Sequence, residues 1–135
     1  MTDDMSMTAT DLEALARRVE TEPASDDLRD EIARAFGWEP GKLKYYKPER
    51  TIRYVPPDFS RSIDAAASLL PSDWRCEVLW HGNKYCRTVA YQPDNFASAV
   101  ACRSEVTGDY AEARARCAAS LRVRAMEKGE AKQYV

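Results

Sequence analysis

The sequence predicts an α+β fold: a three- or four-stranded antiparallel sheet packed with two helices in the order α-β-β-β-α, preceded by an N-terminal helical hairpin. Three observations predict it. Trp74, Cys76, Val78 and Trp80 alternate with Arg75, Glu77 and Leu79, a period of two that belongs to a half-buried strand. Leu12, Leu15, Ala16 and Val19, and then Leu28, Ile32, Ala35 and Phe36, recur at helical spacing on either side of a break at Pro23. Alanines run through the stretch 111–125, and small residues let a helix lie close against a sheet.

Residues 1–10 lack periodicity and read as a disordered N-terminus. The helical hairpin occupies 11–41. Thr10 with Glu13 is a capping box for its first helix. Ser25 caps the second, with Asp26 and Asp27 in the first turn, where negative charge suits the helix dipole, and Gly37 stops it. Residues 42–59 read as a basic-aromatic loop, in which 51–55 fits a short edge strand ended by Pro56-Pro57. The α-β-β-β-α unit covers 60–129. Ser60 or Ser62 caps a helix ending near Leu70, ahead of Pro71. Strands follow at 74–80, 85–91 and 97–106, joined by turns at His81–Lys84 and Gln92–Asn95. Tyr85, Val89 and Tyr91 fall on one side of the second strand, and Val100, Cys102 and Val106 on one face of the third. Asp109 with Glu112 opens a long helix that reaches Lys128, with Gly129 as its stop and 130–135 as a flexible tail. Trp74 and Trp80 are expected to turn together onto the alanine-lined helices.

The chain of 135 residues has the size of one domain able to bury its own core. With 44% apolar and 31% charged residues it is neither collagen-like nor low-complexity nor wholly disordered. The net charge of −2 argues against bulk attraction to nucleic acid or an anionic membrane. That balance hides an asymmetry: −7 over 1–40, +4 over 41–90 and +1 over 91–135. No apolar run reaches transmembrane length, and the acidic start Met1-Thr2-Asp3-Asp4-Met5 has no signal-peptide character, so the expected location is cytosolic. Cys76, Cys86, Cys102 and Cys117 form no C-x-x-C and read as four reduced, mostly buried thiols.

The stretch 42–54 carries the strongest candidate chemistry. Lys44, Lys47, Arg50 and Arg53 interleave with Tyr45 and Tyr46, against the single acid Glu49. Cations hold phosphate and tyrosines stack on bases, so these six residues are the candidate ligand-binding set. His81, the only histidine, lies between Cys76 and Cys86, but Cys76 belongs to the apolar face, and no metal is expected there. Asp58, Asp64 and Asp73 read as helix or turn residues rather than an acid/base pair. Five glycines without a phosphate-binding motif argue against a nucleotide cradle, and no cofactor is expected. The α-β-β-β-α order and the arginines at 103, 114, 116, 122 and 124 also fit a double-stranded RNA-binding domain, but Asp109 and Glu112 at the last helix's start would repel phosphate.

The phrase Ser62-Ile63-Asp64-Ala65-Ala66-Ala67-Ser68-Leu69-Leu70-Pro71 followed by Trp74, together with the helix Ala111 to Leu121, resembles the phage ABA sandwich domain, a family of tailed bacteriophages and prophages. Asp11 to Glu20 and Glu31 to Trp38 resemble the helical lead-in often found before it; Asp73 stands where members usually carry glycine. The resemblance implies a phage accessory protein with a helix-sheet-helix core and carries over no catalytic residue. The expected function is therefore a non-enzymatic binding protein acting in the host bacterial cytoplasm. It would occupy a host protein or sequester a small anionic signalling ligand, in host takeover or anti-defence. Nucleic-acid binding through 42–54 is the alternative. A homodimer through the helical hairpin is a further expectation, because its apolar stripes need cover.

Overall fold

The computed structural model describes residues 7–37, 43–47, 50–53, 57–80, 84–92 and 101–133. Helices α1 (Ala9–Thr21) and α2 (Asp26–Ala35) come first, then strands β1 (Leu43–Lys47) and β2 (Arg50–Arg53). Helix α3 (Ile63–Ala67), strands β3 (Arg75–Trp80), β4 (Tyr85–Tyr91) and β5 (Ala101–Thr107), and helix α4 (Ala111–Gln133) complete the order. The predicted α+β class and the α-β-β-β-α order are both present.

The hairpin helices begin where local chemistry can pair their first N–H groups. Ser25 accepts from Leu28 N–H at the start of α2, and Gly37 lies at φ +87° just past its end. The first cap differs from expectation: Thr8 and Asp11, not Thr10 and Glu13, form the capping box, so α1 starts inside the stretch read as disordered. Lys128 of α4 holds the Met7 carbonyl, which ties down that extra turn. Leu12, Leu15, Ala16 and Val19 of α1 and Leu28, Ile32 and Ala33 of α2 are buried with Phe59 against α4. Each fully buried leucine or isoleucine contributes about 1.5–3 kcal/mol. Both stripes are thus covered within the chain, so their burial calls for no second copy.

Strands β3, β4 and β5 form one antiparallel sheet in that order, with Cys76 opposite Ala90 and Ala90 opposite Cys102. Cys86, Thr88 and Ala90, with Cys102, Ser104 and Val106, make the buried face. Arg75, Glu77, Leu79, Arg103, Glu105 and Thr107 are exposed on the other face, so among the described residues the helices cover one face only. Tyr85, Val89 and Tyr91 lie half-buried on that outer side.

Helix α4 is the middle layer. Its ridge Ala111, Ala115, Ala119 and Val123 packs under the sheet, while Ala113, Cys117, Ala118, Leu121 and Ala125 pack against the other helices. Thr88 fixes the sheet to this helix by donating to the Ala115 carbonyl at 3.2 Å. Gly129 does not stop α4, which continues to Gln133 through the expected tail. A glycine costs a helix about 1 kcal/mol, which a helix packed on two sides carries. The residue before α4 is Tyr110 in a left-handed conformation (φ +56°), rather than a capping Asp109.

Ser62 caps α3 by accepting from Ala65 N–H, but the helix stops at Ala67 instead of near Leu70. The chain tightens through Ser68 and Leu69, and Ser68 Oγ donates to the Ala65 carbonyl. Leu69 then reaches the helical core and Leu70 the core around Trp74. Among the described residues no helix is long and apolar enough to cross a membrane.

Candidate ligand-binding site

The basic-aromatic stretch is not a loop. Strands β1 and β2 pair antiparallel as a two-stranded ribbon, with Lys44 opposite Ile52, Tyr45 opposite Thr51, Lys47 opposite Arg50 and Leu43 opposite Arg53. The register shifts between Tyr45 and Lys47, which places Tyr46 at an irregularity in the ladder. Such irregularities increase the local twist of a ribbon. All six candidate residues, Lys44, Tyr45, Tyr46, Lys47, Arg50 and Arg53, therefore belong to one element. The signal for it was present in the sequence as two short runs rich in aromatic and β-branched residues, separated by Pro48-Glu49. Of the expected edge strand 51–55, residues 51–53 lie in β2, while Tyr54 and Val55 lie outside the described residues.

His81 lies outside the described residues, so the histidine–cysteine constellation has only its sulfurs in view. Cys86, Cys102 and Cys117 are buried and Cys76 is half-buried, all as free thiols. Burial pushes Cys86 and Cys102 up to about 11 and raises Cys117 further. These groups are protonated at neutral pH, whereas a sulfur nucleophile or metal ligand acts as thiolate. The Cys117 thiol donates to the Phe59 carbonyl at 2.9 Å, a packing role.

The arginines of α4 are engaged in the fold. Arg114 is 4% exposed and donates to the carbonyls of Val19, Glu20, Glu22 and Asp109. Arg116 pairs with Glu112 at 2.9 Å, and Arg122 pairs with Glu13 and Glu20. Arg124 stands 5.4 Å over the Phe36 ring. A helix whose cations are spent this way offers little charge to the phosphates of an RNA duplex.

Two surface features were not legible in the sequence. Trp74 is buried as expected, but Trp80 is 46% exposed and its indole N–H donates to Glu112 at 3.1 Å. Trp80, Ile63 and Tyr110 line a cleft of about 250 Å³ with Arg61, Lys84 and Glu112. Tyr110, just before α4, has a left-handed backbone beside Gly108 at φ +114° and is 53% exposed. A wider groove of about 760 Å³ runs between α1, the start of β5 and α4, lined by Glu13, Arg17 and Arg103 among others. No family model, curated protein or solved structure matches the chain.

Proposed function

We propose that this chain is a small phage-encoded binding protein without catalytic activity. It acts in the cytoplasm of the infected bacterium by occupying a host protein or sequestering a small anionic signalling ligand. The observation that carries this reading is the β1–β2 ribbon, to whose two paired strands Lys44, Tyr45, Tyr46, Lys47, Arg50 and Arg53 all belong. A paired ribbon holds its residues in fewer arrangements than a loop, so less ordering free energy is lost on binding. The core supports the same reading, because its arginines and thiols serve packing and hydrogen bonding.

Titration of the full chain with ribonucleotides, cyclic nucleotides, and single- and double-stranded DNA and RNA oligonucleotides tests the proposal, alongside capture from a bacterial lysate. Saturable binding of a small anion is expected, weakened about tenfold or more when Lys47→Glu and Arg50→Glu are combined. Binding of oligonucleotides alone, falling steeply with salt, replaces it with the nucleic-acid alternative. No bound probe, together with no captured protein that the double variant loses, overturns it.

A further inference from the structure

The three-stranded sheet has two edges, and the chain treats them differently. The β5 edge is covered by α1. Glu20 accepts from the Ser104 hydroxyl at 2.7 Å and from the Glu105 backbone N–H, and Arg122 donates to the Arg103 carbonyl at 2.8 Å. The β3 edge pairs with nothing among the described residues, and Arg75, Glu77, Leu79 and Trp80 are exposed along it. Proteins blunt a bare edge with lysine, proline, a bulge or a very short strand. Strand β3 has no lysine, proline or bulge, and its two exposed charges, Arg75 and Glu77, are of opposite sign; its six residues run in unbroken register with β4 and end in the exposed pair Leu79-Trp80. A row of unpaired N–H and C=O groups takes an extended strand as its partner.

We infer that β3 pairs antiparallel with β3 of a second copy, about a two-fold axis through Cys76, to make one six-stranded sheet with the helices of both copies on one face. Among two-fold axes through a residue of β3, charge selects this register. A two-fold axis perpendicular to the sheet keeps every residue on its own face, so only residues of like parity can stand opposite each other. An axis through Glu77 sets glutamate against glutamate, and one through Arg75 sets arginine against arginine; like charges directly opposite destabilise a sheet. An axis through Val78 leaves both charges without an opposite partner. An axis through Cys76 sets Arg75 opposite Glu77 twice, with Trp74 opposite Val78. The two Cys76 residues then stand directly opposite, with Cα atoms about 4.5–5.5 Å apart, within disulfide reach. Cys76 is also the one cysteine of the four that is not fully buried.

Sedimentation of the full chain over a concentration series tests this pairing. A dimer is expected, and Glu77→Arg or Arg75→Glu alone should weaken it about tenfold or more, since each replaces two attractive cross-strand pairs by two repulsive ones. The combined reversal restores complementarity and should restore the dimer. Both side chains are exposed, so circular dichroism should show all three variants folded. Diamide, as oxidant, should join the two copies through Cys76, and Cys76→Ser should abolish the cross-link. A monomer at every concentration, a dimer indifferent to both single reversals, a dimer that diamide fails to join, or a cross-link that survives Cys76→Ser overturns the inference.

Discussion

Arg114 lies in the interior with no carboxylate in salt-bridge range among the described residues, and its charge is met by backbone. Its guanidinium takes the carbonyls of Val19, Glu20 and Glu22 at 3.0, 3.0 and 2.6 Å and that of Asp109 at 3.1 Å. A helix leaves its last carbonyls unpaired, and they form the negative end of its dipole. The fixed fork of five donors suits several of them at once. Burial lowers the pKa of Arg114, opposed by the Asp109 charge, while the four carbonyls supply hydrogen bonds to the buried guanidinium. Arg114→Met should therefore lower unfolding free energy by about 3 kcal/mol, read from urea denaturation, because it leaves those acceptors buried and unpaired. Arg114→Lys should recover only part, with three donors on a flexible stem. Nothing in the run Arg114, Arg116, Arg122, Arg124 sets the first apart, since three of its four acceptors come from 92–95 positions away. Ser25 and Gly37 were legible, and Ser62 as one of two candidates with Ser60, because a cap acts on its own turn. The box read at Thr10 and Glu13 lies at Thr8 and Asp11, and the Lys128 contact with the Met7 carbonyl favours the earlier start.

At the level of elements, α1 is clamped to the sheet and α4 through Glu20. Burial opposes ionisation of this carboxyl, but hydrogen bonds from Arg122, Ser104 and the Glu105 N–H outweigh it and hold the pKa below its ordinary 4.5. A folded-state value below the unfolded one gives stability that is full above pH 4.5 and is lost as the pH falls through the folded value. Glu20→Gln should cost about 2 kcal/mol at neutral pH and flatten the acid limb of stability against pH, measured by thermal denaturation from pH 3 to 7. An acid limb as steep as the parent's would contradict this clamp. Trp80 diverged from its period-two neighbours because β3 is an edge strand and Trp80 ends it. The sequence pattern gives the face of a strand but not its place in the sheet. Of the ribbon only the second strand is legible in the sequence, as an edge strand over 51–55; the aromatic run of β1 reads as loop because five residues carry too few periods.

In the whole molecule, the acidic first 40 residues partly neutralise later cations. Asp26 meets Arg61, and Glu13 and Glu20 meet Arg122. The hairpin is part of the core rather than an appendage, since it covers Cys117, Ala118 and Leu121 of α4 and supplies three of the four carbonyls that hold Arg114. A chain shortened to residues 42–135 should unfold without a cooperative transition and bind a hydrophobic dye; a cooperative fragment would show that α4 closes on the sheet alone. By itself the sequence determined the class, the α-β-β-β-α order, the two helical stripes and the caps at Ser25 and Gly37, because periodicity and capping act over one or two turns. Only the tertiary structure decided that α4 is buried on two sides, that Arg114 faces inward, and that one sheet edge is covered while the other is bare. Those depend on which distant segments meet, and residues of identical type within one helix differ there only in what stands across from them.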